Sequence, residues 1–204
     1  MYLTIALIAL TAVVSISGFF NKELAARLRF NAYDVLHSKQ WYRFFTYGFF
    51  HSGWVHLIIN LFVLYSFGQV VEKGYLYYFR SQYVIYYLVL YFGALLVSVL
   101  PAFIKHRNDV FYNSLGASGA VMAVVFSSIL LQPRQEIFLF FIPIGIPAVA
   151  FGVVYLIYEF VMSLKAKDFI GHDAHFWGAL FGLIFTIAMK PHIVIAFLKQ
   201  MQWM

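Results

Sequence analysis

The chain has 204 residues, 63% of them hydrophobic and only 11% charged; about a quarter of an average soluble domain is charged, so the composition indicates an integral membrane protein. Its net charge of +6 comes from cations scattered singly between apolar runs, which argues against nucleic acid as a partner and favours lipid headgroups. Because there is no cysteine, disulfides, thiolate metal sites and cysteine nucleophiles are excluded.

Six apolar stretches approach the length of about 20 residues that a membrane helix needs. We expect spans at 1–20, 51–71, 83–100, 116–132, 148–164 and 174–189. They use nearly the whole chain, so we predict one transmembrane domain over residues 1–204, an all-α polytopic bundle of six helices. The first stretch lacks the positive segment and cleavage site of a secretory signal, and is interpreted as an uncleaved span.

The segments between the spans contain helix breakers and interfacial residues. Residues 21–50 mix cations with aromatic side chains, which is typical of a segment that lies in the membrane interface. Glu72-Lys73-Gly74 is expected to stop the second span, and Pro101 the third. Pro143, Gly145 and Pro147 break helix geometry before the fifth span.

Polar residues inside these spans are candidates for a functional site, because polar groups at membrane depth are costly. His56 and Asn60 are four residues apart on the second span, so they share one helix face and can both donate a hydrogen bond toward the same point. His51, five residues before His56, is expected to face another side of the helix as a structural residue. Ser118 lies at the start of the fourth span, where free backbone N–H groups and the positive end of the helix dipole favour a developing oxyanion.

The sixth span places a histidine on a stripe of small residues. His175, Gly178 and Gly182 lie at positions i, i+3 and i+7, and small residues let two membrane helices approach closely. The start of the fourth span is also rich in small residues. If the two helices are in contact, the imidazole of His175 comes within hydrogen-bond distance of the Ser118 hydroxyl, which is the geometry that a nucleophile and its general base need.

Five motifs carry a family resemblance. In chain order they are Trp41-Tyr42-Arg43, His56-x-x-x-Asn60, Gly68-x-x-x-Glu72, Gly116-Ala117-Ser118-Gly119 and Ala174-His175-x-x-Gly178-x-x-x-Gly182. Each motif alone is weak, but the ordered set is specific, and it covers the chain from Trp41 to Gly182. By these motifs the chain resembles the rhomboid intramembrane serine proteases.

The resemblance implies roles for single residues. Ser118 is expected to be the nucleophile and His175 the general base and then the acid. The Ser118 amide, His56 and Asn60 are expected to form the oxyanion hole. No third acid is expected, and neither Asp168 nor Asp173 is assigned to a triad. The residues expected to support the site are Gly116, Gly119, Met122, Gly178, Gly182 and Arg43, the last as an organiser of the first loop.

Met122 departs from the family pattern. It stands four residues after the predicted nucleophile, where family members commonly carry a tyrosine or phenylalanine that supports the histidine ring. A thioether can contact an imidazole with adaptable geometry. We therefore expect an intact pair of Ser118 and His175, with the ring of His175 held less rigidly.

The function that follows is an intramembrane serine endopeptidase that cleaves the transmembrane helices of membrane proteins without a cofactor. Substrates with Gly, Ala, Ser or Pro near their membrane end are favoured, because a helix must unwind before its carbonyl is attacked. Lateral access is expected, with the approach to the fifth span as the mobile element. Two alternatives stay open: a catalytically inactive relative that binds membrane helices, and a transporter that uses His51, His56, His172 and His175.

Metal binding and membrane orientation complete the expectations. His172 and His175 are three residues apart, but without a thiolate or a placed carboxylate nearby no metal site is predicted. The first-loop side of the membrane carries more cations than the side of the termini, which by the positive-inside rule would place the first loop in the cytoplasm. The family implies the reverse, a bacterial inner-membrane protein whose site opens to the extracytoplasmic side, and we follow the family.

Overall fold

The structure is a computed structural model that describes residues 2–138, 144–165 and 171–202. Ten α-helices occur in these ranges: α1 (Tyr2–Phe20), α2 (Lys22–Leu28), α3 (Ala32–His37), α4 (Arg43–Thr46), α5 (Trp54–Phe79), α6 (Tyr83–His106), α7 (Ser118–Leu131), α8 (Ala148–Lys165), α9 (His172–Met189) and α10 (His192–Gln200). A pair of short strands, β1 (Glu136–Phe138) and β2 (Gly145–Pro147), stands before α8. The protein is mostly helical.

Each of the six predicted stretches overlaps one long helix: α1, α5, α6, α7, α8 or α9. By length and hydropathy, three helical segments of the described residues can cross a membrane: Tyr2–Phe20, Trp54–His106 and Ala148–Lys165. Counting α9 and α10 as one span bent by 111° makes four. The Trp54–His106 segment folds back on itself, because Gly68 of α5 lies against the Tyr87 hydroxyl of α6. The protein is a multi-pass membrane protein, and the count of six spans stays a prediction.

The short helix α7 lies at the centre of the bundle. It packs against α5, α6 and α9, and its residues from Gly119 to Val121 and from Ala123 to Leu130 are buried. By contrast, only Ala148, Gly152 and Glu159 are buried along α8, which packs mainly on α9. The N-terminal end of α7, with Ser118, is therefore held inside the bundle, and α8 lies beside it at the periphery.

The prediction that Glu72-Lys73-Gly74 stops the second span is wrong. Helix α5 continues to Phe79, and Glu72 is buried against the first turn of α1. Its carboxylate accepts hydrogen bonds from the amides of Leu3 and Thr4, both at 3.1 Å, and from the Thr4 hydroxyl at 2.8 Å. First-turn amides lack partners within their own helix and favour negative charge, so this acid caps a neighbouring helix instead of ending its own.

Pro101 does not stop the third span either. It lies inside α6, which ends at His106. Membrane helices tolerate an internal proline because neighbouring groups satisfy the backbone carbonyl that the proline leaves without a donor. The helix is therefore six residues longer at this end than the predicted span, which ended at residue 100.

The approach to α8 is an antiparallel strand pair, with Glu136 opposite Pro147 and Phe138 opposite Gly145. The all-α prediction did not include these strands. The Ala148 amide donates to the Gln135 carbonyl at 2.8 Å, which ties the first residue of α8 to the strand pair. Pro143, part of the predicted mobile element, lies outside the described residues.

The two ends of the described chain lie far from the starts of α7 and α9. The amide of Leu3 contacts Glu72, which is 16 residues, or about 24 Å, along α5 from His56. The side-chain amide of Gln200 donates to the carbonyl of Leu131, the last residue of α7. Ser118 is at the opposite end of that helix.

Candidate active site

The predicted site residues meet at one cavity of about 880 Å³ between α5, α7, α8 and α9. Its lining includes every predicted catalytic and oxyanion-hole residue, namely Ser118, His175, His56 and Asn60. Gly116, Gly119 and Met122 also line it. Ser118 and His175 are partly exposed to this space, so a reacting group could reach both.

Glycines bring α7 and α9 into backbone contact. A Cβ at Gly178 would collide with the carbonyl of Gly119, and a Cβ at Gly182 would collide with the carbonyl of Ala123. At both positions the clashing atoms belong to the backbone of α7, which cannot change rotamer as a side chain could. The stripe of small residues on α9 therefore lies on α7, directly beside Ser118.

His175 is held from α8 by a carboxylate. Its Nδ1 lies 3.1 Å from Oε1 of Glu159, and the Tyr155 hydroxyl lies 3.4 Å from the same nitrogen. The expectation of no acid partner is corrected here: Glu159 was missed because it lies on another helix, 16 residues before His175. Asp168 lies outside the described residues, and Asp173 lines a separate cavity of about 180 Å³.

Met122 lines the cavity, while the polar support of the His175 ring comes from Tyr155 of α8. Tyr155 in turn packs on Phe151, with ring centroids 5.4 Å apart. The ring thus contacts two groups of α8, and the looser orientation expected from Met122 stays a prediction. A sequence signal for this arrangement exists, since Gly152, Tyr155 and Glu159 have the i, i+3, i+7 spacing of one helix face.

His56 and Asn60 present donors to the cavity. Nδ1 of His56 lies 3.0 Å from the Ser52 hydroxyl and 3.5 Å from the Ser52 amide. A neutral ring that accepts at Nδ1 carries its proton on Nε2. The side-chain amide of Asn60 donates one hydrogen to the His56 carbonyl, at 2.9 Å, and its second hydrogen is left to donate to another acceptor. Both side chains line the cavity that Ser118 also lines, and their role as oxyanion-hole donors stays a prediction.

Gly116 is required by both space and backbone geometry. Its φ of 126° lies in a region that side-chain-bearing residues rarely adopt. A Cβ there would come within 2.8 Å of Cε1 in the His56 ring. The glycine therefore lets the loop before Ser118 pass against the imidazole.

His51 holds the same loop and was misread from the sequence. The prediction that its offset of five residues turns it away from His56 is wrong, because His51 precedes α5, and the two rings lie 4.8 Å apart. Its Nε2 accepts from the Ala117 amide at 3.3 Å, and its Nδ1 lies 2.8 Å from the Ser15 hydroxyl. Burial, and secondarily the nearby His56, lowers the pKa of His51 to about 3, so the ring is neutral.

Arg43 lies in the first loop, away from the cavity. Its guanidinium donates to the carbonyls of Ala26 and Arg29, at 3.1 and 2.6 Å, and pairs with Asp34 at 3.1 Å. It joins α2, α3 and α4 to one another. Its contacts are those of a loop organiser.

The comparisons with known proteins agree with this geometry. The family model described as "Rhomboid domain" matches residues 38–192, about three quarters of the chain. The chain belongs to the rhomboid family. It is similar to "Rhomboid-like protein 11, chloroplastic" of Arabidopsis thaliana, with 44% identity over 96 residues, which are 45% of this chain and 30% of that protein. It is also similar to "RHOMBOID-like protein 12, mitochondrial" of the same plant, with 26% identity over 175 residues, 78% of this chain.

This rhomboid chain covers only part of those relatives. The matched region is 30% of the length of the first and 50% of the length of the second. Among the residues that the structure describes, no group of three His, Asp or Glu side chains is arranged to hold a metal ion. His172, a metal candidate from spacing, instead bonds through Nδ1 to Oε2 of Glu159 at 2.6 Å.

We expect Gly178→Ala to destabilise the protein by about 1–3 kcal/mol, because the added methyl group forces apart two backbones that cannot repack. Thermal unfolding in detergent measures the change. Gly171→Ala is the matched control, since a Cβ there would meet Ala174 at an ordinary contact distance of 3.7 Å. Equal melting temperatures for the two variants would contradict the close contact of α7 with α9.

We expect the free energy of unfolding to decrease as the pH is lowered, partly because of His51. Its pKa is about 3 in the folded protein and near 6.5 when exposed, so between these values the unfolded chain binds the extra proton. Lowering the pH from 6.5 toward 4 then costs up to about 1.4 kcal/mol per pH unit from this group. His51→Gln should flatten the dependence of the unfolding free energy on pH, whereas His37→Gln, at an exposed histidine, should not. Parallel curves for all three proteins would refute the assignment.

Proposed function

We propose that the protein is an intramembrane serine endopeptidase that hydrolyses peptide bonds of transmembrane helices. The observation that supports this best is the single cavity lined by Ser118, His175, His56 and Asn60, beside a glycine contact between the two helices of the pair. Membership of the rhomboid family adds to it. The proposal requires no cofactor.

In the proposed reaction, the Ser118 oxygen attacks the carbonyl carbon of the substrate while its proton passes to Nε2 of His175. The negative charge on the carbonyl oxygen is stabilised by the Ser118 amide, His56 and Asn60. The C–N bond then breaks, and His175 gives its proton to the leaving nitrogen. In the second half, His175 takes a proton from water and the hydroxide attacks the carbonyl carbon of the acyl ester. The bond from this carbon to the Ser118 oxygen then breaks, His175 returns the proton to Ser118, and the carboxylic acid product is released.

Hydrolysis inside a membrane requires water and an unwound substrate. The start of α7 opens into the cavity, whose otherwise apolar lining carries polar side chains such as Ser52, Asn60 and Asn113 that can bind water where the surrounding bilayer cannot. Gly and Pro, and to a lesser degree Ser, disfavour helical structure, whereas Ala is included as a small residue that the family resemblance implies. We therefore propose transmembrane helices of this kind as the substrate class.

Neither relative supports the expected bacterial inner membrane, since their names place them in chloroplasts and mitochondria. What the helices support is a multi-pass membrane location. We keep only the relative orientation as a proposal: the cavity opens on the side opposite the contacts of Leu3 and Gln200. Tags at the two ends, tested by protease protection, should both be shielded from the compartment that the cavity faces.

The alternatives are separated by a fluorophosphonate probe, which reacts with an activated serine. We expect wild type to be labelled, Ser118→Ala to be unlabelled, and His175→Ala to be labelled about 100-fold more slowly, because the general base is lost. Ser66→Ala is the control, since this hydroxyl bonds the Phe62 carbonyl of its own helix. Labelling that survives Ser118→Ala would refute the proposal. An unlabelled wild type would favour an inactive relative, or, with chelator-sensitive transport, a histidine-dependent transporter.

Lateral access of the substrate past α8 is the second part of the proposal. This helix is the least buried of the three long spans, with 17% of its most apolar window buried. Because the chain has no cysteine, a cysteine pair joining α5 to α8 gives one defined disulfide. We expect cleavage to stop when the disulfide forms and to return on reduction, with each single cysteine as control. Full cleavage by the cross-linked protein would exclude this route.

A further inference from the structure

Glu159 is a buried carboxylate in a helix that is otherwise largely exposed. Glu159 is only 3% exposed, although it lies on α8, the candidate span with the fewest buried residues. A carboxylate in such a place is costly unless its oxygens are paired. Here both are: Oε2 lies 2.6 Å from Nδ1 of His172, and Oε1 lies 3.1 Å from Nδ1 of His175.

The contact with Oε1 determines which nitrogen of His175 bears the proton. With Glu159 ionised, its oxygens can only accept hydrogen bonds, and Nδ1 of His175 is then the donor of this contact. In the neutral ring the proton is then on Nδ1, and Nε2 has the lone pair. That is the tautomer that a general base toward Ser118 needs, whereas the other tautomer has a hydrogen on the wrong nitrogen.

We propose that Glu159 is the positioning residue of His175, so that the site operates as a serine–histidine–glutamate triad whose acid comes from α8. This inference rests on the proposed function. Glu159 does not touch the substrate; it fixes the orientation and tautomer of the ring. When Nε2 receives the Ser118 proton, the ring becomes a cation, and the carboxylate stabilises it without taking the proton from Nδ1.

His172 completes the arrangement from the other side of the carboxylate. With one oxygen bound by each imidazole, the carboxylate plane cannot rotate away from His175. His172 itself is 4% exposed and is absent from the lining of the large cavity, so it holds Glu159 without facing Ser118. Removing either Glu159 or His172 weakens the attachment of α8 to α9, but of the two only Glu159 hydrogen-bonds the base, since His172 meets it only ring to ring, with centroids 6.4 Å apart.

That difference gives the test a matched control. We expect Glu159→Gln to lower kcat about 100-fold with little change in KM, because binding is retained while the base loses its tautomer and its counter-charge. His172→Phe should lower thermal stability by a similar amount but kcat by less than tenfold. Equal losses of kcat in the two variants, with the wild-type tautomer of His175 retained in both, would mean that Glu159 only fastens the helices, and would overturn the proposal.

A spectroscopic measurement needs neither activity nor a folded variant at position 159. In wild type with ¹⁵N-labelled histidine, the NMR signals lost in His175→Ala identify the ring. We expect the proton of the neutral ring on Nδ1. A ring protonated on Nε2 in wild type would overturn the proposal. So would a Glu159→Gln protein that folds and retains the wild-type tautomer and kcat.

The two proposals fail in distinguishable ways. If wild type is not labelled by the fluorophosphonate, the proposed function fails, and the tautomer of His175 still tests the contact with Glu159. If wild type is labelled and cleaves substrate while Glu159→Gln retains kcat within about twofold, the protease stands on Ser118 and His175 alone. Only the triad is then refuted.

Discussion

The backbone contact between α7 and α9 is the constraint on which the rest of the site depends. Gly178 and Gly182 face carbonyl groups of α7 with no room for a methyl group, so the distance between these helices is determined by main chain and not by adaptable side chains. Without hydrophobic attraction between helices in lipid, close packing of this kind is a principal source of association. It brings Ser118 and His175 to one cavity.

A second principle is that the buried carboxylates Glu72 and Glu159 are both hydrogen-bonded to a neighbouring helix. Glu72 caps the first turn of α1 and Glu159 bridges two histidines, so each carboxylate joins two helices. The second pair has a consequence for access. If substrates pass α8, its displacement also moves Glu159 away from His175, and the base is fully positioned only when α8 returns. Substrate access and activation of the base would then be coupled through one helix.

The sequence predicted what repeats along a single helix. Each of the six apolar stretches overlaps a helix, and the glycines of the predicted stripe, Gly178 and Gly182 of α9, pack against α7. The sequence could predict these features because length and period are properties of one segment. Apart from the approach of the fourth and sixth spans, which their small residues indicated, the sequence did not predict contacts between segments. In the sequence alone, Glu72 is interpreted as a polar residue that ends a span, because its partner helix α1 is distant along the chain. Glu159 lies 16 residues before His175, and no sequence motif connects the two. His51 was misread because its offset was counted on a helix that begins only at Trp54.

The central claim, that Ser118 and His175 react as one unit in the cavity, is tested most directly by a crystal structure of the protein after reaction with a phosphonate. The account predicts phosphorus bonded to the Ser118 oxygen, with Nε2 of His175 within hydrogen-bond distance of the adduct and His56 and Asn60 turned toward a phosphoryl oxygen. An adduct on another residue would contradict it. So would a Ser118 oxygen separated from the His175 ring by packed apolar side chains.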